Sequence, residues 1–412
     1  MNDRVILHCD CNSFFASVET ALNPAYRGVP MAVCGSVEER HGIVLAKNEE
    51  AKRYGIQTAE TVASARRKCR NLVVAKPHYE AYHKYSVAAN EIYGRYTDRI
   101  EPFGIDESWL DVTASKIFGS GMEIAEKIRS DIKRELGITV SIGVSFNKVF
   151  AKLGSDYKKP DAITEINREN YKTIVYPLPV SDLLFVGRKT AEYLKRVGIR
   201  TIGDLAESSP EFLTERLGKA GGMLSKYARG EDDTPVCASD LEDSKSIGNG
   251  FTFRHDLVGR EECRVGIEFL SEEIGYKLRK RGLKCSTVQL SIKDEYLRTI
   301  QRQRPQNPPS NISGEIAATA YNIFCSEWSE ERPVRSITVT AQNLVKSDML
   351  AEQIGMFDNG SDKRRQRLEK RESAIDTIRE KFGSSSIVRA SVIDSDIGVF
   401  ETPKNKNKKE AE

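Results

Sequence analysis

The chain has 412 residues, of which 30% are charged and 39% hydrophobic, with a formal net charge of +3. It is too long for one core and too apolar for disorder, so about three or four domains are expected. No apolar run approaches the ~20 residues of a membrane span, and the N-terminus is broken by Asp3, Arg4 and Asp10, so a cytoplasmic protein with no membrane partner is expected. The eight cysteines form no C-x-x-C pair and have no histidine at zinc spacing, which argues against a disulfide framework or a zinc cluster.

Residues 4–10 (RVILHCD) predict a short buried strand ending in Asp10. Asn12 or Ser13 can then cap a helix carrying Phe14, Phe15, Val18 and Leu22. Taken alone, Asp10 reads more readily as a turn residue than as a site residue. Residues 42–56 read as an extended segment followed by one or two helical turns stopped by Gly55, in a module made basic by Lys47, Lys52, Arg53, Arg66, Arg67 and Lys68. Tyr79, Tyr82, Ser86, Ala89, Tyr93 and Tyr96 recur at helical spacing over 79–97.

A strand near 99–103 and a second from 107 to 113 form a hairpin interrupted by two adjacent carboxylates, Asp106 and Glu107. Alternation puts Glu107, Trp109 and Asp111 on one face and Ser108, Leu110 and Val112 on the other, which predicts one core face and one wet or functional face. Asp106 can join Glu107 only if it lies at the irregular tip suggested by Pro102 and Gly104. Like charges held this close repel unless a cation sits between them. An isolated Asp-Glu pair is ordinarily a solvated turn; a further carboxylate is what changes that reading.

A helix at 122–136 stopped by Gly137 and a strand at 139–145 complete a β-α-β-β-α-β unit, the ferredoxin-like order, with residues 12–76 inserted after its first strand. That unit packs both helices on one face and leaves the other open. Its first and third strands are central, so Asp10, Asp106 and Glu107 can converge on the open face. Lys148, Lys152 and the pair before Pro160 add positive charge nearby.

Residues 166–236 read as helical, and Val186–Thr190 (VGRKT) suits a helix-hairpin-helix element whose exposed N–H groups bind a phosphate without reading a base. An ordinary αα-hairpin fits the pattern equally well. Residues 237–246 read as an acidic linker, after which the β-α-β-β-α-β rhythm returns: strand near 247–253, helix 260–281, strands 285–293 and 297–301, helix 314–328, strand 335–342. Thr287, Gln289, Ser291 and Lys293, with Ser336, Thr338, Thr340 and Gln342, predict a polar face suited to a sugar-phosphate backbone. Between 277 and 304 nine basic residues stand against Asp294 and Glu295, a local charge of +7. Beyond Leu350, Gln353, Ile354, Met356 and Phe357 form a short apolar segment suited to a partner's groove. A charged, weakly helical stretch (363–382) and a Lys-rich end follow.

Several ordered stretches resemble the Y-family translesion DNA polymerases of the DinB/UmuC group: HCDCNSFFASVE (8–19), YRGVPMAV (26–33), GIDESWLDV (104–112), SIGVSFNKVFAKL (141–153) and KKPD (158–161). The resemblance implies a multi-domain α+β right-hand polymerase. Its parts would be a ferredoxin-like palm (1–11 and 77–165), small fingers (12–76), a helix-hairpin-helix thumb (166–236), a linker (237–246), an α+β little finger (247–345) and a tail (346–412). It implies that Asp10, Asp106 and Glu107, with the backbone carbonyl of Cys11, hold two Mg²⁺ ions for nucleotidyl transfer from a dNTP to the 3′-hydroxyl of primer-template DNA. Phe15 falls at the steric gate, while Phe14 reads as core. Lys52 and Lys159 match triphosphate-binding positions. Gly187, Lys189, Thr190, Lys284, Lys293 and Arg298 are the expected DNA contacts. Gln353 to Phe357 resembles the motif that docks on the sliding clamp, the β subunit, and residues 358–412, more UmuC-like than DinB-like, are the expected site for further SOS or replication factors. The sequence departs from the family where Asn12 replaces the second Asp of D-x-D, where Glu49 stands for a triphosphate-binding Tyr, and where Lys52 stands for Arg. Two other readings remain open: a nucleotidyl cyclase on the same kind of sheet, and a non-catalytic clamp-associated DNA-binding protein.

Overall fold

A computed structural model describes residues 4–36, 42–237, 245–347, 361–393 and 395–398. They fall into two compact units, residues 1–35 with 43–239 and residues 240–412 with 36–42.

In the first unit, β1 (Ile6–Cys11) is buried on both faces along most of its length and becomes the middle of a sheet. Inserted after it are α1 (Phe14–Leu22), β2 (Met31–Cys34), β3 (Val44–Lys47), α2 (Glu49–Arg53), α3 (Val62–Lys68) and β4 (Val73–Ala75). Their strands make a separate small sheet of order β3-β2-β4 around Val44, Ile56, Val62 and Leu72. The chain returns through α4 (Tyr79–Tyr93), β5 (Ile100–Pro102), β6 (Glu107–Asp111), α5 (Gly121–Leu136), β7 (Val140–Ser145), α6 (Lys148–Tyr157) and β8 (Ile163–Ile166). The helix α5 stops at Gly137 in the left-handed region, as the sequence predicts, and starts at a Ser120/Glu123 capping box that was not anticipated. The main sheet runs β5-β6-β1-β7-β8, with β1 antiparallel to both β6 and β7. This is the expected β-α-β-β-α-β pairing, with the first and third strands adjacent and one parallel strand added beyond β7.

The second face of this sheet is not open throughout, contrary to the expectation. Helix α6 lies across it, and Trp109, assigned by alternation to the wet face, is 2% exposed among Ile6, Ala151 and Val236. Its Nε1 donates to the Lys148 carbonyl at 3.0 Å. The close approach is possible because residue 143 is glycine: a Cβ there would come within 1.8 Å of the Ala151 carbonyl oxygen. Only the Asp10/Glu107 end of that face remains accessible.

Residues beyond β8 are helical, as expected: α7 (Tyr171–Val175), α8 (Arg188–Arg196), α9 (Ile202–Glu207), α10 (Pro210–Leu217) and α11 (Lys219–Ala228). The element before the Gly187 turn is only a 3₁₀ turn, Val180–Asp182, because Pro179 precedes it and Leu183 is already extended.

The second unit comprises β9 (Ser246–Leu257), α12 (Arg260–Lys280), β10 (Leu283–Asp294), β11 (Thr299–Ser310), α13 (Ser313–Glu327), β12 (Val334–Lys346), α14 (Ser361–Phe382) and α15 (Ala390–Ile393). The element rhythm matches the prediction but the ferredoxin-like pairing does not. Its sheet runs β11-β10-β12-β9, so the second and fourth strands are central rather than the first and third. Composition explains the difference. Strand β11 carries Pro305, Pro308 and Pro309, which cannot donate to a ladder on both sides, and is thereby confined to an edge. Residues 306–309 bulge between the pairs Thr287↔Pro305 and Cys285↔Ser310. The central strands bury Val288, Leu290, Ile292, Ile337, Val339 and Ala341 against α12 and α13.

The stretch read as weakly helical is a 22-residue helix, α14, docked on its own unit. Arg279 reaches Asp376 through two hydrogen bonds of 2.6 and 2.9 Å and lies 3.2 Å from Glu372, while Lys284 meets Glu369 at 2.9 Å. Arg365 pairs with Glu315, and Arg379 with Glu272. Val388, Val392 and Ile397 join the hydrophobic core of the unit.

Candidate active site

Asp10 sits near the end of β1, directly opposite Glu107 on one neighbouring strand and Ser141 on the other. The Cys11 N–H donates to the Asp106 carbonyl at 2.9 Å, which holds the hairpin tip beside β1. The tip is thus irregular, as Pro102 and Gly104 suggested, and Asp106 joins its neighbour at the same sheet edge. Burial, followed by the charges of Asp10 and Glu107, pushes the Asp106 carboxyl up to about 6. For Glu107, burial works upward but is outweighed by its contacts with His8 and Lys152, which bring it to about 2.

The carboxylates are engaged by the chain's own cations. Lys159 Nζ lies 2.7 Å from Asp10 Oδ2 and 2.7 Å from Asp156 Oδ1. Lys152 Nζ donates to Glu107 Oε2, and His8 Nε2 lies 3.3 Å from the same oxygen without hydrogen-bond alignment. Among the described residues no group of three or more His, Cys, Asp or Glu side chains is gathered so as to hold an ion. Asp10 and Glu107 are brought face to face, but the three carboxyl groups are not presented as a ready ligand set. The donor chemistry nevertheless fits a hard divalent cation: the site offers carboxylate oxygens, and the charges of Asp10 and Glu107 add to the burial that raises Asp106.

Asp10 and Asp106 open onto a cavity of about 630 Å³ lined also by Phe15, Lys47, Glu49, Lys52 and Lys159; Glu107 is not among its lining residues. Both rings border the cavity, but Phe14 is 3% exposed and belongs to the buried core, whereas Phe15 is only partly buried and packs against that core. The Phe15 ring stacks on Tyr82 with centroids 4.1 Å apart and an interplanar angle of 11°, and meets Tyr79 edge-on. Tyr82 is pinned in turn: its hydroxyl donates to the buried carboxylate of Glu19, which also lies 2.9 Å from His78 Nδ1.

The departures from the family pattern acquire physical roles. Ser13 takes the cap position of α1 without a capping hydrogen bond, and Asn12 ties three elements together. Its Nδ2 donates to Ser141 Oγ at 2.8 Å, while its Oδ1 accepts from Thr139 Oγ1 at 3.0 Å and from the Asp161 N–H at 2.9 Å. An aspartate could not make the donated bond. Glu49 accepts from Lys52 and from Ser13 Oγ, so its charge is answered within the cavity wall. Lys47, read only as part of a basic module, also lines the cavity and donates to Thr58 at 2.8 Å. His8 and Lys152 as partners of Glu107 were likewise missed; the spacing of β1 and α6 relative to β6 is not written in any local pattern.

The expected DNA contacts divide. Gly187 caps α8 and leaves open space where a side chain would stand, and Lys189 is exposed beside Thr190 in the first turn. Lys293 lies on the polar sheet face in register with Ser336 and Thr299, and Arg298 sits at the β10–β11 turn. Lys284 belongs elsewhere: it is ion-paired with Glu369 of α14, which removes it from that face. The local charge of +7 is smaller in effect than its count, since Arg279, Lys284, Lys277 and Arg302 are all matched by carboxylates. Gln353, Ile354, Met356 and Phe357 lie outside the described residues.

Residues 9–156 match the impB/mucB/samB family and residues 244–356 its C-terminal domain. The DNA polymerase IV of Acetivibrio thermocellus is 50% identical over 388 residues, covering 94% of this chain and 96% of that protein. DNA polymerase IV 1 of Bacillus subtilis is 34% identical over 390 residues, covering 95% and 93%. A solved Y-family DNA polymerase chimera superposes with a TM-score of 0.74 at 24% identity over 83% of this chain and 99% of that one. The fold is that of a multi-domain right-hand polymerase, with carboxylates and lysines gathered at one end of its main sheet. The chain belongs to the impB/mucB/samB family, the DinB-like Y-family DNA polymerases, which generally use divalent metal ions.

Proposed function

We infer that the chain is a template-directed DNA polymerase that adds deoxynucleotides to a primer 3′-hydroxyl and copies past damaged template bases. One observation carries the reading: Asp10 and Glu107 face each other across two central strands, with Asp106 beside them, at the edge of a cavity walled by Phe15 and lysines. On this reading residues 1–11 and 77–165 are the palm, 12–76 the fingers, 166–236 the thumb and 247–345 the little finger. Asp10, Asp106, Glu107 and the Cys11 carbonyl would hold two Mg²⁺ ions. Such ions, when bound, lower the pKa of the attacking hydroxyl and neutralise the leaving pyrophosphate.

The chain's own groups do the remainder. Lys159 and Lys52 exchange their present carboxylate partners for triphosphate oxygens, and Lys47 adds a third positive charge in reach of the same cavity. Glu49 keeps its hydrogen bond from Ser13 when Lys52 leaves it. The Phe15 ring, backed by Tyr82, closes the space a 2′-hydroxyl would need. Gly187, Lys189 and Thr190 offer N–H groups and charge at a helix start, and Lys293 and Arg298 flank the hydroxyl-rich sheet face; both sets suit phosphate contacts. Among the described residues no helix is long and apolar enough to cross a membrane.

Primer extension by the full chain with Mg²⁺ and four deoxynucleotides tests the reading, with chelation expected to stop it. A protein that binds primer-template yet adds nothing is instead a non-catalytic DNA-binding protein. Residues 353–357 are assigned to the sliding clamp. Met356→Ala with Phe357→Ala should abolish stimulation by the clamp through lost effective concentration while distributive synthesis continues; equal stimulation of variant and parent would remove the assignment.

A further inference from the structure

The helix α14 is sorted by charge around its axis. Its inner arc carries Glu369, Glu372 and Asp376, each engaged by a basic residue of the body it packs on. Its outer arc, spanning about a third of the circumference at ~100° per residue, carries Arg364, Arg367, Lys370, Arg371 and Lys381 and no acidic residue. Arg364, Arg367 and Lys370 are exposed. Of the five, Arg371 alone has an ion pair among the described residues, with Glu372 at 3.2 Å.

A helix face that merely keeps a protein in solution mixes signs, because like charges three or four residues apart repel and weaken the helix. Here every acidic residue of the middle turns is spent inward, and the repelling cations are held outward by the docking of the helix itself. A fixed, one-sign array over roughly 25 Å of helix at ~1.5 Å per residue is matched by a fixed array of opposite charge. Single strands are ordinarily held by basic grooves interleaved with aromatic platforms; the exposed ring of Phe382 stands at the end of this arc beside Lys381, but none is interleaved among Arg364, Arg367, Lys370 and Arg371.

We propose that the outer face of α14 is a sequence-independent docking surface for the phosphate backbone of duplex DNA, separate from the catalytic cavity and from the polar sheet face. It rests on the polymerase reading only in that DNA is already the substrate. Its occupancy adds counterion release to the binding of primer-template without touching the reacting groups.

The test is the full chain carrying Arg364→Gln, Arg367→Gln and Lys370→Gln together, compared with the parent by fluorescence anisotropy on a long duplex primer-template over a salt series. Each lost phosphate contact lowers the slope of log affinity against log salt by about 0.9. With three contacts removed, the variant should therefore lose about 2.7 from the slope and bind at least about tenfold more weakly at moderate salt. Single-nucleotide incorporation at saturating DNA and the unfolding midpoint should match the parent, and Arg364→Lys with Arg367→Lys should keep the parent's slope. An unchanged affinity and slope on duplex overturns the proposal and leaves an acidic protein surface as the occupant. A loss confined to single-stranded DNA overturns it as well. Parent activity in primer extension is read separately, so failure here leaves the polymerase reading intact.

Discussion

Asp106→Ala is expected to reduce nucleotide addition by at least about a thousandfold, ~4 kcal/mol of transition-state stabilisation, while leaving primer-template binding in place. The position is the cleanest of the three carboxylates to remove. Asp10 is held by Lys159, and Glu107 by Lys152 beside His8, so truncating either also frees a buried or half-buried cation. Asp106 makes no side-chain ion pair among the described residues, and its carboxyl is pushed up by burial and by Asp10 and Glu107. Its removal relieves that repulsion, and the variant should unfold at no lower a temperature than the parent. Single-turnover incorporation with circular dichroism and DNA binding as controls decides it. A variant that folds, binds DNA and still incorporates at near-parental rate would take the site assignment with it.

Phe15→Ala is expected to raise ribonucleotide incorporation relative to deoxyribonucleotide by on the order of a hundredfold, ~3 kcal/mol of lost discrimination. The ring lines the cavity and is backed by Tyr82, itself held through Glu19, so it cannot swing away from an extra hydroxyl cheaply. Phe14→Ala is the informative companion. That ring is buried in the core, and its loss should cost about 3–5 kcal/mol of stability while sugar selectivity stays as in the parent. The ratio of kcat/KM for the two nucleotide types, measured on both variants, separates gate from core. Unchanged selectivity in Phe15→Ala would reassign the residue to packing.

The elements of both sheets were legible because each carries its own period. Ile124, Ile128 and Ile132 fall on one face of α5, and Val288, Leu290 and Ile292 on one face of β10. The juxtaposition of Asp10 with Glu107 was also legible, since it follows from which strands of a β-α-β-β-α-β unit are central. Pairing order in the second unit was not: β9 to β12 each look like plausible centres locally, and it is the prolines of β11 and the lack of continuous burial in β9 that decide. The cover on the Trp109 face was hidden because the β-α-β-β-α-β template contains two helices and has no place for α6, although Gly143 and Gly154 are the trace it leaves in the sequence. The docking of α14 could not be read at all. Its ion pairs join residues some ninety positions apart, such as Arg279 with Asp376, and charge composition alone does not say which carboxylate answers which cation.

Strand β11 faces solvent along its outer side, where twelve residues of extended backbone could in principle recruit a strand from another copy. Pro305, Pro308 and Pro309 offer no N–H there, the 306–309 bulge breaks the straight run, and Arg302 and Arg304 charge the remainder. Pairing of one copy with another through this edge is thereby disfavoured, and substituting these prolines by valine would remove that protection.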